Sequence, residues 1–504
     1  MSLQLEKSAA VVEAGLCGSS ATTPALGDDE VTWDGPDDPA DPYNWPSRLK
    51  ITHGLLYSAS QLVTTMSASM IAPALDQVLK DLRMTASAGQ IAFSVFFLGL
   101  GFAPFLVAPL AEVYGRKPIW IAGNIWYILW NSLCPVGFSP GLLVTGRFLS
   151  ASGASVGITL TSPVLADMYS AKDRGKSIAI ASLLPYLGPA LGPIIGGLAA
   201  QHLWWPWLFW ILSAFDAVFL VLGFFVIHET YAPVLLARKA RRLTRDGGAA
   251  ASTEDKTRSL SQKGRRFLDE LLIRMKPAIL RPVKLLISRP IIQIVGISMA
   301  LQFGIYILAL STFASLWITR YGQSETSASL HYIAIALGAY VCAQGGGRLM
   351  DWLWRRKVAR FPNREPTPEY RMPYVLSGLL PLVAGLFWYA WAAETECHWV
   401  VVDLGIFFFT CGGFVFAQGL LAYLVDEFGS SRAASANAAT RLLTYLLGFA
   451  FPIFAPKLYL TLGYGWGNSL LAFLFVAICF PIAALLWFRG ERIRSVGRKA
   501  DGEK

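Results

Sequence analysis

The sequence predicts an all-α integral membrane protein with twelve transmembrane helices in two six-helix bundles. Three observations predict it. The chain of 504 residues is 54% hydrophobic and only 15% charged, whereas a soluble domain carries nearer a quarter charged residues. Its mean hydropathy is +0.47, so polar surface is too scarce to cover a globule in water. Its apolar residues fall into runs of about 20, the length that crosses a bilayer core.

The runs lie at residues 51–74, 88–110, 118–137, 142–167, 176–201 and 205–227. After an interruption they resume at 290–313, 328–348, 373–393, 399–425, 433–458 and 466–488. The split between the last two, near Gly463–Gly467, is the least marked. Five regions follow: a tail 1–50, a bundle 51–227, a basic loop 228–289, a bundle 290–488 and a basic tail 489–504. Residues 1–40 are acidic and rich in Ala, Gly and Pro, so the tail reads as disordered.

Charge sets the expected orientation. The net charge is +10, and the loop His228–Arg289 alone carries 15 Lys/Arg against 6 Asp/Glu. Arg116 and Lys117, then Lys172, Arg174 and Lys176, fall on the same side as that loop, as do Arg355, Arg356 and the C-terminal tail. By the positive-inside bias, both termini are cytoplasmic. The basic charge is therefore a topology signal, and nucleic acid is excluded as a partner. The location is a cell membrane, plasma or vacuolar. Six scattered cysteines form no CxxC, which argues against a disulfide framework or zinc site.

An internal repeat is visible. Glu112 precedes Arg116 by four residues at the end of the second run, and Asp351 precedes Arg355 by four at the end of the eighth. Duplicated halves recur in transporters, with the substrate site between them.

Several motifs carry a family resemblance. Pro109-Leu-Ala-Glu112-Val-Tyr-Gly115-Arg116-Lys117 looks like the loop signature between helices 2 and 3 of the major facilitator superfamily. Gly146-Arg147-Phe148-Leu149 through Gly153 is similar to its helix-4 signature. Gly188-Pro189-Ala-Leu-Gly192-Pro193-Ile-Ile-Gly196-Gly197 is similar to its helix-5 antiporter signature. His228-Glu229-Thr230-Tyr231 and Asp41-Pro42-Tyr43-Asn44-Trp45-Pro46 resemble segments of fungal twelve-span drug:proton antiporters. Two departures stand out: Ala439-Thr440-Arg441-Leu442 lacks the expected helix-11 pattern, and no glycine follows the acid of the second-half motif. The resemblance implies the major facilitator fold, a monomer, and export of drugs, toxins or secondary metabolites in exchange for protons.

Each candidate residue has two readings. Glu112, Gly115, Arg116, Lys117, Asp167, Arg174, Asp351 and Arg355 can latch one conformation by pairing across the cytoplasmic gap, or they are ordinary positive-inside charge. Arg147 lies inside a span, where an unpaired charge is costly. The resemblance places it in proton coupling; a snorkelling interfacial Arg is the alternative. Asp216 carries a proton, binds a cationic substrate, or hydrogen-bonds a neighbouring helix. Gly188, Gly192 and Gly196, four residues apart, put one face of the fifth span in position for close packing, and Pro189 and Pro193 bend it. Resemblance places the substrate cavity among helices 1, 4, 7 and 10. Its candidates are Gln61, Thr65, Ser155, Gln302, Tyr306, Phe409, Phe416 and Gln418. Aromatics and amides suit a bulky, moderately polar organic compound. Arg441 is a further intramembrane charge expected to be buried.

Other functions fit less well. A nutrient importer on the same fold is the nearest alternative. An enzyme needs a metal or nucleophile cluster, but the five histidines (His53, His202, His228, His331, His398) are isolated near helix ends. There is no phosphate-binding loop for ATP-driven transport. No metal or cofactor is expected. Ser252, Thr253 and Ser259 in the central loop are candidate regulatory sites.

Overall fold

A computed structural model describes residues 31–169, 184–246, 280–360 and 367–500. Every regular element among them is helical. The first half contains α1 (Ser47–Ser69), α2 (Ala86–Phe102 and Pro104–Tyr114), α3 (Arg116–Leu133), α4 (Pro140–Met168), α5 (Gly188–His202) and α6 (Trp207–Val226). A polar-faced helix, Ala232–Asp246, follows. The second half contains α7 (Pro290–Thr319), a short helix Glu325–Leu330, α8 (Tyr332–Arg360) and α9 (Met372–Glu394). One hydrogen-bonded run, Trp399–Ala500, is divided by Gly429 (φ +63°) and Gly463 (φ +69°) into α10 (399–428), α11 (430–462) and α12 (464–500). Glycine adopts that conformation without a Cβ clash.

Seven segments among the described residues are long and apolar enough to cross a membrane, and the two pieces of α2, bent by 41°, make an eighth together. One of the seven, Ser435–Val496, contains both α11 and α12. α5 has 15 described residues, and α1 dilutes its apolar character with buried Ser58, Ser60, Thr64, Ser67 and Ser69. The outer face of α6 shows how the fold meets lipid. Val218, Val221, Phe224 and Phe225 on it are all more than half exposed, an apolar surface that water would not tolerate.

Residues 31–46 differ from the expected disordered tail. The backbone N–H groups of Asp34 and Ala40 donate to the Asp38 carboxylate at 3.0 and 2.8 Å. They hold its pKa below the usual value, and Lys239 adds to the effect. Tyr43 donates to Ala166 O at 3.2 Å, and Lys239 pairs with Asp34 at 2.5 Å. The segment is a strap joining the end of α4 to the helix after α6.

The two halves meet along two lines. Phe97 of α2 packs on Tyr445 of α11 and Phe303 of α7, with ring centroids 6.5 and 5.8 Å apart. On the face away from both chain termini, here the distal face, α5 meets the short helix Glu325–Leu330. A Cβ at Gly197 would lie 2.0 Å from Ser329 Oγ, so the backbone approach there requires glycine.

Candidate functional site

The described charges converge at two junctions on the termini face, one in each half. In the first, Gly115 turns α2 into α3 with φ +100°. A Cβ there would lie 2.2 Å from Glu229 Oε2. Glu229 accepts the backbone N–H of Arg116 at 2.8 Å and of Lys117 at 3.2 Å, satisfying the first orphan donors of α3. The Arg116 guanidinium, also buried, pairs with Asp167 at 3.2 Å and covers the Tyr231 ring at 4.5 Å. Thr230 Oγ1 donates to the same Asp167 oxygen. Lys117 Nζ donates to Phe224 O at 2.9 Å.

One expectation needs correcting here. Glu112 is exposed, and the acids around Arg116 are Asp167 and Glu229. Four residues along a helix put Glu112 beside Arg116 only if the helix continues, and it ends at Tyr114. Arg174 lies outside the described residues.

In the second half, Asp351 and Arg355 are exposed on α8. The buried cluster is instead Arg494 of α12, which takes Glu369 with both oxygens at 2.7 and 2.8 Å and Glu427 at 2.9 Å. Arg371 pairs with Asp426 beside it at 2.7 Å. Each half thus holds one base between two acids where the third, fourth and sixth helices of that half meet. The base comes from α3 in the first half and from α12 in the second.

Deeper in the first half, Arg147 is completely buried. Its nitrogens donate to Ser67 O at 2.8 Å and to Ala92 O and Phe93 O at 3.4 Å, and it lies 4.4 Å from the Phe96 ring centroid. It therefore does not snorkel. It binds α1 and α2 through carbonyls, with no carboxylate among its described partners. Asp216 is 1% exposed, and its Oδ2 has no hydrogen-bond partner among the described residues. Between them stands Tyr127, whose hydroxyl lies 2.5 Å from Ser67 Oγ and within electrostatic reach of both charges.

The glycines of α5 do two things. Added Cβ atoms at Gly188, Gly192 and Gly196 would lie 1.9 Å from Thr65 Oγ1, 2.5 Å from Met66 O and 2.2 Å from Met70 O. That face is in backbone contact with α1, and Gly197 faces the second half. Pro189 and Pro193 lie within α5, Pro189 in its first turn.

The cavity candidates scatter. Phe409 is buried with its backbone against Gly385 of α9, and Phe416 packs on Phe475 of α12, at 5.5 Å. Ser155 is buried and donates to Ser152 O. Each of these three contacts lies within its own half. Thr65 and Gln61 lie against α5 and α4 respectively, and Gln302 fills the space beside Gly413. Gln418 meets Tyr186 of the first half, and Tyr306 packs on Phe414 and Phe303 of its own half. Ring contacts run from Tyr186, in the turn before α5, to Phe414 of α10 (5.7 Å), Tyr306 (6.1 Å), Phe303 (6.1 Å) and Tyr445 (5.7 Å). Gln418 bonds the hydroxyls of Tyr374 and Tyr186. Arg441, expected to be buried, is exposed, and its charge reaches Tyr186. A separate cavity of about 410 Å³ opens near the distal face, lined by Asp76, Gln90, Ser315, Arg320 and Tyr464 among others.

Two helical bundles, each with buried charge and joined by aromatic contacts, fit the duplicated-half architecture of transporters. The profile of the Major Facilitator Superfamily matches residues 57–452. The chain belongs to the major facilitator superfamily. Efflux pump vrtL of Penicillium aethiopicum is 35% identical over 94% of this chain and 92% of the relative. The probable efflux pump mfs2 of Aspergillus flavus is 37% identical over 84% of this chain and 98% of the relative. The xylose transporter XylE of E. coli, in a partially occluded inward-open conformation, superposes with TM-score 0.56 at 15% identity, over 87% of this chain and 97% of that one. That likeness concerns the fold. This major facilitator protein is a multi-pass membrane transporter of small molecules, and not an enzyme.

Sequence reasoning missed Glu229, Tyr127, Tyr186, Phe414 and Tyr445. Glu229 lies in a tract already noted, but its partner is 113 residues away. Nor are the histidines all isolated: the His228 backbone N–H donates to His53 Nε2 at 2.8 Å.

Proposed function

We propose that the chain exports small organic compounds, drugs, toxins or secondary metabolites, in exchange for protons. It works as a monomer in the plasma membrane with both termini cytoplasmic. The observation that carries this reading is Asp216, a carboxylate sealed inside the first bundle with an oxygen that has no hydrogen-bond partner among the described residues. A buried carboxylate is a ready proton acceptor. Tyr127 lies within electrostatic reach of both Asp216 and Arg147, and its hydroxyl meets Ser67 beside Arg147. The aromatic chain from Tyr186 to Tyr445 offers flat apolar surface to the substrate, and Gln418 and Arg441 add polar contacts. Arg116 with Asp167 and Arg494 with Glu369 act as latches on the cytoplasmic side. The names of the fungal relatives support export over import.

The test is uptake of lipophilic dyes and fungal metabolites into inside-out vesicles carrying the protein. Uptake that needs an inside-acid gradient and collapses with a protonophore is the expected result. Uptake indifferent to the protonophore would remove the proton, and movement in the opposite direction would replace export with import.

A further inference from the structure

The short helix Glu325–Leu330 is the second half's contact with the first at the distal face. Ser329 and Glu325 O lie against Gly197. Gln201 Oε1 accepts the Thr326 N–H at 3.1 Å, and Gln77 donates to Glu325 at 3.4 Å. At the C-terminal end of this helix stands His331.

Its imidazole ties the helix to three other elements. Nδ1 lies 2.8 Å from Asp403 Oδ2 on α10, and Nε2 lies 3.0 Å from Gln323 Oε1, in the loop after α7. The ring lies flat on the Trp317 indole of α7, with centroids 3.7 Å apart and planes 9° apart. Both nitrogens therefore face side-chain oxygens, the arrangement of a doubly protonated ring stacked on an aromatic face. His53 is the contrast. Its Nδ1 faces Leu49 O while its Nε2 accepts a backbone N–H, which suits the neutral ring. At His331 the Gln323 amide can turn, offering oxygen to Nε2–H or nitrogen to a bare Nε2. The site thus accommodates gain and loss of a proton. Asp403 is the carboxylate in contact, and its Oδ1 is buried without a partner among the described residues. The other titratable or charged groups nearby are Tyr321 against Trp317, Tyr389 facing Asp403, Glu325 on the short helix, His398 beyond Trp399, and Arg320, which Glu394 neutralises.

We propose that His331, held by Asp403, is a proton-binding site that sets how firmly the helix Glu325–Leu330 closes the two halves at the distal face. It adds a site in the second half to the proton-coupled reading, and rests on that reading for its purpose but not for its test. Proton binding and closure favour each other, so closure is firmest in acid and loosens as pH rises.

The test is amide hydrogen exchange of residues 323–331 in the purified full chain, corrected for intrinsic pH effects, with no substrate and no gradient. Protection in the wild type should fall about tenfold as the pH is raised from about 5 to 8. His331→Gln should flatten the profile, and Asp403→Asn should weaken it, with exchange in α4 and α9 unchanged as the folding control. A flat wild-type profile, or a slope that survives His331→Gln, overturns the proposal. A steep slope alongside protonophore-insensitive vesicle uptake would strike the antiport reading alone.

Discussion

The carboxylate of Glu229 closes the start of the helix that begins at Arg116, accepting its backbone N–H at 2.8 Å across 113 residues of sequence. Removing it orphans the buried Arg116 N–H and the partly buried Lys117 N–H at a helix N-terminus, at a cost of about 1–3 kcal/mol for the buried donor. Glu229→Ala should lower the melting temperature of the purified protein clearly, and Glu229→Gln less so, because an amide oxygen still accepts. Wild-type melting of Glu229→Ala would show that the cap does not matter.

Arg147→Lys keeps the charge but not the fork that reaches carbonyls on two helices. Membrane abundance should hold while proton-driven efflux falls at least about tenfold, as expected when a fixed, planar donor set is lost. Undiminished efflux would take Arg147 out of coupling.

Asp216→Asn removes the proposed proton acceptor with little change of shape. The dependence of efflux on pH should flatten, measured in vesicles from about pH 5.5 to 8. Tyr127→Phe should alter the profile in the same direction but less. An unchanged profile in Asp216→Asn places the proton elsewhere.

At Gly192 a Cβ would sit 2.5 Å from the Met66 carbonyl. Gly192→Val should therefore separate α5 from α1 and cost about 1–3 kcal/mol, the usual range for overpacking. Gly345→Ala is the control, with nothing within 4 Å of its added Cβ. The check is the yield of monodisperse protein after detergent extraction. Equal yields would mean that the α1–α5 contact has slack.

The helices were legible because lipid demands long apolar runs, and the α5 glycines because four-residue spacing defines a face. The Gly463 break fell where the apolar pattern thins. Side-chain partners were not legible. Glu112 and Arg116 looked like neighbours at helical spacing, but a glycine turn separates them, and Arg116 takes its acids from α4 and from the chain after α6. Phe409 and Phe416 were placed in the gap by helix number, whereas rotation about the helix axis decides which way a ring points. The aromatic chain joins four helices and the turn before α5 through residues with no spacing in common, so tertiary structure alone reveals it.

The α5 glycines also constrain mechanics. Backbone pressed on backbone leaves α1 and α5 no room to slide, so the pair forms a single stiff lever. Its fulcrum is Gly197, where the opposite face of α5 bears on the helix Glu325–Leu330. A lever pivoted near one end moves most at the other. Small adjustments of a few side chains at the distal face would therefore become wide travel at the face that bears the termini.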